Sequence, residues 1–130
     1  MRDPVIMGKI MDIRVKRAYR AARQSDGQRV LVDRLWPRGL SKDRLRLDHW
    51  AKDLAPSAEL RNWFNHEPGK WKEFKERYGR ELDVRAKIVE ALRAHADEGP
   101  LTLIYAAKDK ACNNAVALKT YLENRLMGDK

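Results

Sequence analysis

Two short runs of apolar residues constrain the fold of this chain most, because each is followed at once by charged residues. The first lies in a predicted strand over residues 29–35 and the second in a predicted strand over residues 101–107. Continuous apolar runs of this length are typical of strands buried on both faces of an α/β sheet. Helical periodicity fills the sequence between them, which predicts a right-handed β-α-β crossover. The carboxyl ends of both strands should therefore lie at the same edge of one sheet.

An earlier strand is predicted from the alternation of apolar and polar residues that begins at Ile13 and extends to about Tyr19. The residues that follow, 20–28, include the turn-forming pair Asp26 and Gly27. This connection is shorter than a helical crossover, so the sequence leaves open whether the first two strands run parallel or antiparallel.

Helical periodicity is clearest in the second half of the chain. It predicts a short helix over residues 58–65, a long amphipathic helix from about residue 70 to Ala96, and a last helix over residues 113–127. Gly79 is expected to loosen the long helix near its middle.

The region between the predicted strand at 29–35 and the first of these helices is less distinct. Ser41 is a favourable N-cap for a short helical turn, whereas residues 45–54 fit either a helix or a loop. Together the elements predict a single α/β domain over residues 13–130, with a small, mostly parallel or mixed central sheet flanked by helices. Residues 1–12 are predicted to be an irregular N-terminal segment, in which Met7 and Met11 are alternative first residues to Met1.

Composition limits the classes of function. The net charge of +9 and the pI of about 9.9 favour anionic partners. No secretion signal or membrane-spanning apolar run is present, so a cytoplasmic protein without a membrane role is expected. Cys112 is the single cysteine, which excludes an intramolecular disulfide, and the three histidines lack metal-ligand spacing. We therefore expect no metal site and no cofactor, and the sequence does not indicate an oligomeric state.

Polar and charged residues at the ends of the two apolar strands form the predicted site. They are Asp33, Arg34 and Arg38 after the first strand, and Tyr105, Lys108, Asp109, Asn113 and Asn114 at the end of the second. Ligands of open α/β sheets bind outside the carboxyl ends of strands, at the edge where these residues should meet.

The residue types indicate an anionic ligand, such as a phosphorylated small molecule. Arginine presents a planar fork that fits carboxylate or phosphate, and lysine adds a point charge. The start of the last helix near Asn113 adds free backbone N–H donors. Asp33 or Asp109 is a candidate proton acceptor if the protein acts on its ligand. An equally weighted interpretation is structural: Asp33 and Arg34 pair with opposite charges and tie the two loops together.

The sequence also fits other interpretations. A nucleic-acid-binding module is the main alternative, because Lys and Arg are abundant over residues 14–29 and 70–80, although a solvated helix face also explains such charges. An adaptor that only binds another protein is a third possibility.

Cys112 is not favoured as a nucleophile because no histidine is near it in sequence. No glycine-rich phosphate loop is present. Core packing is favoured over base stacking for the tryptophans, which are Trp36, Trp50, Trp63 and Trp71.

Three long stretches resemble the YeaO-like family of uncharacterised bacterial proteins, part of a larger family with a domain of unknown function. They are VDRLWPRGLSKD, LAPSAELRNWFNHEPGKWKEFKERY and LTLIYAAKDKACNNAVALKTYL. The resemblance covers nearly the whole chain after Asp12 and implies no established reaction. In the wider family one strand ends in Val-Asp-Val-Arg, which Val32, Asp33 and Arg34 match with small differences. The other is followed by a Cys-His-Arg cluster, and here Asn113, Asn114 and Ala115 stand in that place, with Cys112 one position early. Thiol chemistry is therefore not carried over to this chain.

Overall fold

The computed structural model describes residues 11–128, so most of the predicted irregular segment 1–12 lies outside the described residues. Four strands are present in this part of the chain: β1 (Ile13–Arg17), β2 (Gln28–Leu31), β3 (His49–Trp50) and β4 (Leu101–Tyr105). Its helices are α1 (Lys42–Leu45), α2 (Ala58–Phe64), α3 (Trp71–Asp83), α4 (Ala86–Glu98) and α5 (Asn114–Gly128). Single 3-10 turns occur at Gln24–Asp26, Lys52–Leu54 and Pro68–Lys70.

The sheet has the order β1-β4-β2-β3 and every pair of neighbouring strands is parallel. Leu101 pairs with Ile13 of β1 on one side and with Gln28 of β2 on the other. The predicted small α/β fold is confirmed. The direction that the sequence left open is resolved: β1 and β2 run parallel to each other, because each is parallel to β4, which lies between them. The carboxyl ends of β2 and β4 meet at one edge, as the crossover argument requires.

β2 and β4 are shorter than predicted. β2 ends at Leu31 and β4 at Tyr105, because the backbone ladder stops after Val32 donates its N–H to the carbonyl of Ile104 (3.1 Å). The next partner of β4 is a side chain, since the carboxylate of Asp33 accepts the N–H of Ala106 at 2.9 Å. The backbones of β2 and β4 stop pairing with each other at this point.

The prediction of one long helix from about residue 70 to Ala96 is wrong. The helix ends at Asp83, and α4 begins at Ala86 after a turn in which Arg85 N–H donates to the carbonyl of Leu82 (2.9 Å). Periodicity conceals this break, because buried Leu82 and buried Val89 are seven residues apart, the spacing of two helical turns. The predicted weak point, Gly79, lies inside continuous helix, where a Cβ would be 3.7 Å from the ring of Tyr121.

The ambiguous region 45–54 contains β3, a strand of only two residues. His49 and Trp50 pair with Val30 and Leu31 of β2. A two-residue strand is too short to show alternation in the sequence.

Most of the core lies between one face of the sheet and the longer helices. Alternate residues of β2 and β4 point to opposite faces, so Val30 and Leu103 join this main cluster whereas Leu31 and Ile104 join a smaller one. Buried Leu45 of α1 covers the second face, with Trp36 and Trp50 packed against it. No helix in residues 11–128 is both long enough and apolar enough to cross a lipid bilayer.

Candidate functional site

A cavity of about 570 Å³ opens at the carboxyl ends of β2 and β4. Three parts of the chain provide most of its lining: the segment 33–38 after β2, helix α2 with the loop that follows, and the approach to α5. Two of these parts are held by buried residues: Phe64 lies in α2, and Asn113 lies directly before α5.

Asp33 joins the ends of the two strands to α5. Its Oδ2 accepts the N–H of Ala106 at 2.9 Å and its Oδ1 accepts from Nδ2 of Asn114 at 3.0 Å. The same Asn114 amide donates to the carbonyl of Val32 at 3.0 Å. A loop-to-loop tie therefore exists, but its partners are neutral groups and not Arg34.

Burial is the main influence on the Asp33 carboxyl. It raises the pKa of Asp33 above the ordinary value of 3.8, although the hydrogen bonds from Asn114 and Ala106 and the charge of Arg61 act in the other direction. Tyr78 is buried nearby and its hydroxyl donates to the carbonyl of Leu54. Burial and then the charge of Asp33 raise the pKa of Tyr78, so its hydroxyl stays neutral.

Three arginines surround the cavity: Arg34, Arg38 and Arg61. All three side chains are exposed, and among residues 11–128 none of their guanidinium groups forms a hydrogen bond or an ion pair. Only backbone atoms of Arg38 and Arg61 are bonded, for example the Arg38 carbonyl, which accepts from the Tyr19 hydroxyl at 2.9 Å. Three positive charges therefore lie around one opening without a hydrogen-bonded or ion-paired partner, although Arg61 interacts electrostatically with Asp33.

Sequence reasoning missed Arg61 and the neighbouring His66, which also lines the cavity. Asn65 and His66 have positive φ values of 48° and 55°, which end α2 and turn the chain back at the rim. The polar face of α2 was visible in the sequence, but which part of that face lies over the sheet edge depends on packing between distant segments.

The predicted site residues divide into two groups. Asp33, Arg34, Arg38, Asn113 and Asn114 line the cavity, whereas Tyr105, Lys108 and Asp109 are not part of its lining. Lys108 is exposed and has no hydrogen bond within the described part of the chain.

Asp109, Asn113 and Tyr105 build the entry into α5. Oδ1 of Asp109 accepts the N–H groups of Cys112 (2.9 Å) and Ala111 (2.8 Å), which lower the pKa of its carboxyl. Asn113 is buried, donates to the Asp109 carbonyl (2.8 Å) and accepts the N–H of Val116 (2.9 Å), as an N-cap does. Tyr105 is buried beside it, and burial raises the pKa of its hydroxyl.

Cys112 also lines the cavity. Partial burial and then the negative charge of Asp109 raise the pKa of its thiol, although Lys75 acts in the opposite direction. A nucleophilic cysteine needs a lowered pKa, so this environment works against a thiolate.

No group of three or more metal-ligating side chains occurs in the part of the chain that the structure describes. Two histidines that are distant in sequence lie close together: the ring centroids of His49 and His95 are 4.7 Å apart and the rings are tilted by 32°. They line a separate cavity of about 150 Å³ beside β3.

Many basic residues of the segments 14–29 and 70–80 are paired with acids. Lys16 and Arg29 both contact Asp26, at 2.8 and 2.7 Å. Three further pairs are more exposed, namely Arg14 with Asp12, Lys70 with Glu67, and Arg77 with Glu73. These pairs reduce the local positive charge of the two segments, but not the net charge of +9, which already counts the acidic residues.

Comparison with known proteins adds the family. A family model described as the inactive DUF488-N3 subclade matches residues 12–130. The uncharacterised protein YeaO of Escherichia coli is 45% identical over 114 residues, which are 88% of this chain and 99% of YeaO. The uncharacterised proteins Rv3073c of Mycobacterium tuberculosis and Mb3100c of Mycobacterium bovis are each 42% identical over 113 residues, 87% of this chain and 95% of each relative. No solved structure shows a significant match. The chain therefore belongs to the DUF488-N3i family and, within it, is similar to uncharacterised YeaO-like proteins.

Proposed function

We propose that this protein binds a small anionic molecule, such as a phosphorylated one, in the cavity at the carboxyl ends of β2 and β4. The observation that carries the proposal is the set of unpaired guanidinium groups of Arg34, Arg38 and Arg61 around one opening. Guanidinium groups form short, charge-assisted hydrogen bonds with carboxylate and phosphate oxygens. A ligand with such a group would supply the partners that the protein does not.

The nearby carboxylate does not neutralise this positive rim. Asp33 is held by Ala106 and Asn114, and neither of its oxygens bonds to an arginine within the described residues. Its raised pKa also favours the neutral form more than in an exposed aspartate. The cavity therefore presents net positive charge to a ligand.

Binding without chemical conversion fits the geometry better than catalysis. Asp33 and Asp109, the two candidate proton acceptors, both hold backbone N–H groups, and Asp109 lies outside the cavity lining. The thiol of Cys112 has a raised pKa, and the matching family model is described as inactive. These features support a binding protein over an enzyme.

Thermal unfolding in increasing inorganic phosphate tests the proposal. The melting temperature of the wild type should rise with phosphate concentration, because a ligand that binds only the folded state stabilises it. Arg34→Ala and Arg61→Ala should each reduce this rise. Arg80→Ala is the matched control, since Arg80 is an exposed arginine of α3 that does not line the cavity. An equal rise in all four proteins would show that phosphate binds elsewhere.

Nucleic-acid binding remains the alternative proposal, supported by the net charge of +9. It requires a broad basic surface and predicts affinity for duplex DNA or RNA that falls steeply as salt is raised. The acidic partners of Lys16, Arg29 and Arg77 interrupt the basic surface of the two segments, although the net charge is unchanged. Fluorescence anisotropy with a labelled duplex at low and high salt separates the two, since a phosphate-binding cavity alone predicts no binding of the duplex.

A further inference from the structure

The cavity is larger and more apolar than a simple phosphate site requires. Its volume of about 570 Å³ lies in the range of about 300–1,000 Å³ that is usual for organic ligands. An inorganic anion would leave most of this space to water. The rest of the lining therefore carries information about what is attached to the charged group.

The inner wall of the cavity is apolar. Phe64 and Phe74 line it with ring centroids 4.5 Å apart, and both side chains are buried in the main core. Ala55 and Pro56 extend this surface from the chain before α2, and Ala106 faces the cavity from the end of β4. Such a wall offers dispersion contacts and aromatic edges to a ligand.

Two polar side chains of the lining, Asn113 and Asn114, are committed to the protein. Nδ2 of Asn114 donates to Val32 and Asp33, and the amide of Asn113 is used at both ends in the cap of α5. Asn62, Asn65 and His66 also line the cavity, but they are exposed. A sugar packed against the apolar wall would therefore leave some of its hydroxyls without partners, and an unpartnered buried hydroxyl is unfavourable.

The cavity lining also includes an exposed apolar residue, Leu35, which lies between two of the arginines in the sequence. Leu35 is 70% exposed and lies between Arg34 and half-buried Trp36, with Arg38 close behind. Tyr19, 42% exposed, lines the same opening. A ligand with an apolar body would cover Leu35 while its charged group meets the arginines.

We infer that the ligand of this cavity is an organic anion with an aromatic or similarly apolar body, and not an inorganic anion or a sugar phosphate. This inference rests on the proposed function and specifies the ligand class. The arginines at the rim bind the carboxylate or phosphate, and the wall formed by Phe64, Phe74 and Ala106 receives the apolar part.

Calorimetric titration of the full chain with three probes of one head group tests the inference. Inorganic phosphate, glycerol phosphate and phenyl phosphate differ mainly in the body attached to the phosphate. Phenyl phosphate should bind about tenfold or more tightly than the other two, because it adds buried apolar area. Equal binding of all three would overturn the inference and leave the proposed function standing, whereas no binding of any probe would overturn both.

A variant at the mouth separates the body from the head group. Leu35→Ser should weaken phenyl phosphate several-fold and leave inorganic phosphate unchanged, and it is not expected to disturb the fold because Leu35 is 70% exposed. Val84→Ser is the matched control, since Val84 is 81% exposed and lies outside the cavity lining. An equal loss for both probes in Leu35→Ser, or no loss for either, would overturn the assignment of Leu35 to the apolar body.

Discussion

An aspartate lies two residues beyond each end of β2, but the surroundings of these two aspartates differ. At the amino end, Asp26 lies beside Lys16 (2.8 Å) and Arg29 (2.7 Å), with 7% of its side chain exposed. At the carboxyl end, the hydrogen bonds that Asp33 accepts within the described residues come from neutral groups, and the arginines around the cavity form no side-chain hydrogen bond or ion pair there. One end is closed by opposite charges and the other is open.

This difference shows that charge at the end of a strand does not by itself indicate a binding site. Both ends of β2 contain acids and bases in the sequence. At the amino end the charges neutralise one another inside the protein, and Arg29 also donates to the carbonyls of Leu45 and Arg46. Unpaired charge beside an open cavity is what distinguishes the carboxyl end.

The largest expected effect is at the closed end. Asp26→Ala should lower the free energy of unfolding by about 3 kcal/mol, because it leaves the buried charge of Arg29 uncompensated and removes the acidic partner of half-buried Lys16. Urea unfolding followed by circular dichroism measures this. Asp12→Ala is the control: its pair with Arg14 is nearly half exposed, so stability should hardly change. If both variants lose equally little, the amino end is not closed by its ion pairs.

At the open end the expected loss is smaller. Asp33→Ala should lower the free energy of unfolding by about 1–2 kcal/mol, because the N–H of Ala106 and the side-chain amide of Asn114 each lose their hydrogen-bond acceptor. Both donors are neutral, so the substitution leaves no buried cation unpaired. The same urea titration measures it. A loss as large as that of Asp26→Ala would show that Asp33 also compensates a buried charge.

The two aspartates should contribute to stability in opposite directions as pH changes. Burial raises the pKa of Asp33, so its contribution is fully present below pH 3.8, its unfolded value, and is lost as pH rises through the folded pKa. For Asp26 burial acts to raise the pKa, but hydrogen bonds from Lys16, Arg23 and Arg29 outweigh it and lower the pKa. Its contribution is therefore present above pH 3.8 and lost as pH falls through the folded pKa.

Urea unfolding of the wild type and of the two alanine variants between about pH 3 and pH 7 measures these contributions. The stability difference between wild type and Asp33→Ala should shrink as pH rises, and that between wild type and Asp26→Ala should shrink as pH falls. Slopes of the same sign would contradict the contrast between the two ends.

The open end was the more predictable of the two from sequence. Apolar runs and a parallel crossover placed Asp33 and Asn114 at one edge, because these rules follow from periodicity and chain direction. The sequence does not predict the pairing of Lys16 with Asp26, because Asp26 and Gly27 indicate only a turn. Arg61 was missed for a related reason: its place at the rim depends on how α2 packs against the sheet, which local sequence does not encode.

The smallest expected effect on stability is at the arginines of the rim. Arg34→Ala should change the free energy of unfolding by no more than about 0.5 kcal/mol, because an exposed side chain without partners has little to lose. Arg29→Ala, the matched substitution at the closed end, should lower it by about 2–3 kcal/mol, since Arg29 is buried and bonded to Asp26 and Leu45. Thermal unfolding without added anions measures both variants.

A marked loss of stability in Arg34→Ala would mean that its guanidinium supports the fold, and the free positive charge at the cavity would then be smaller than the geometry indicates. A slight gain in stability would have the opposite meaning, because removing one of three neighbouring positive charges relieves repulsion that a bound anion would otherwise relieve.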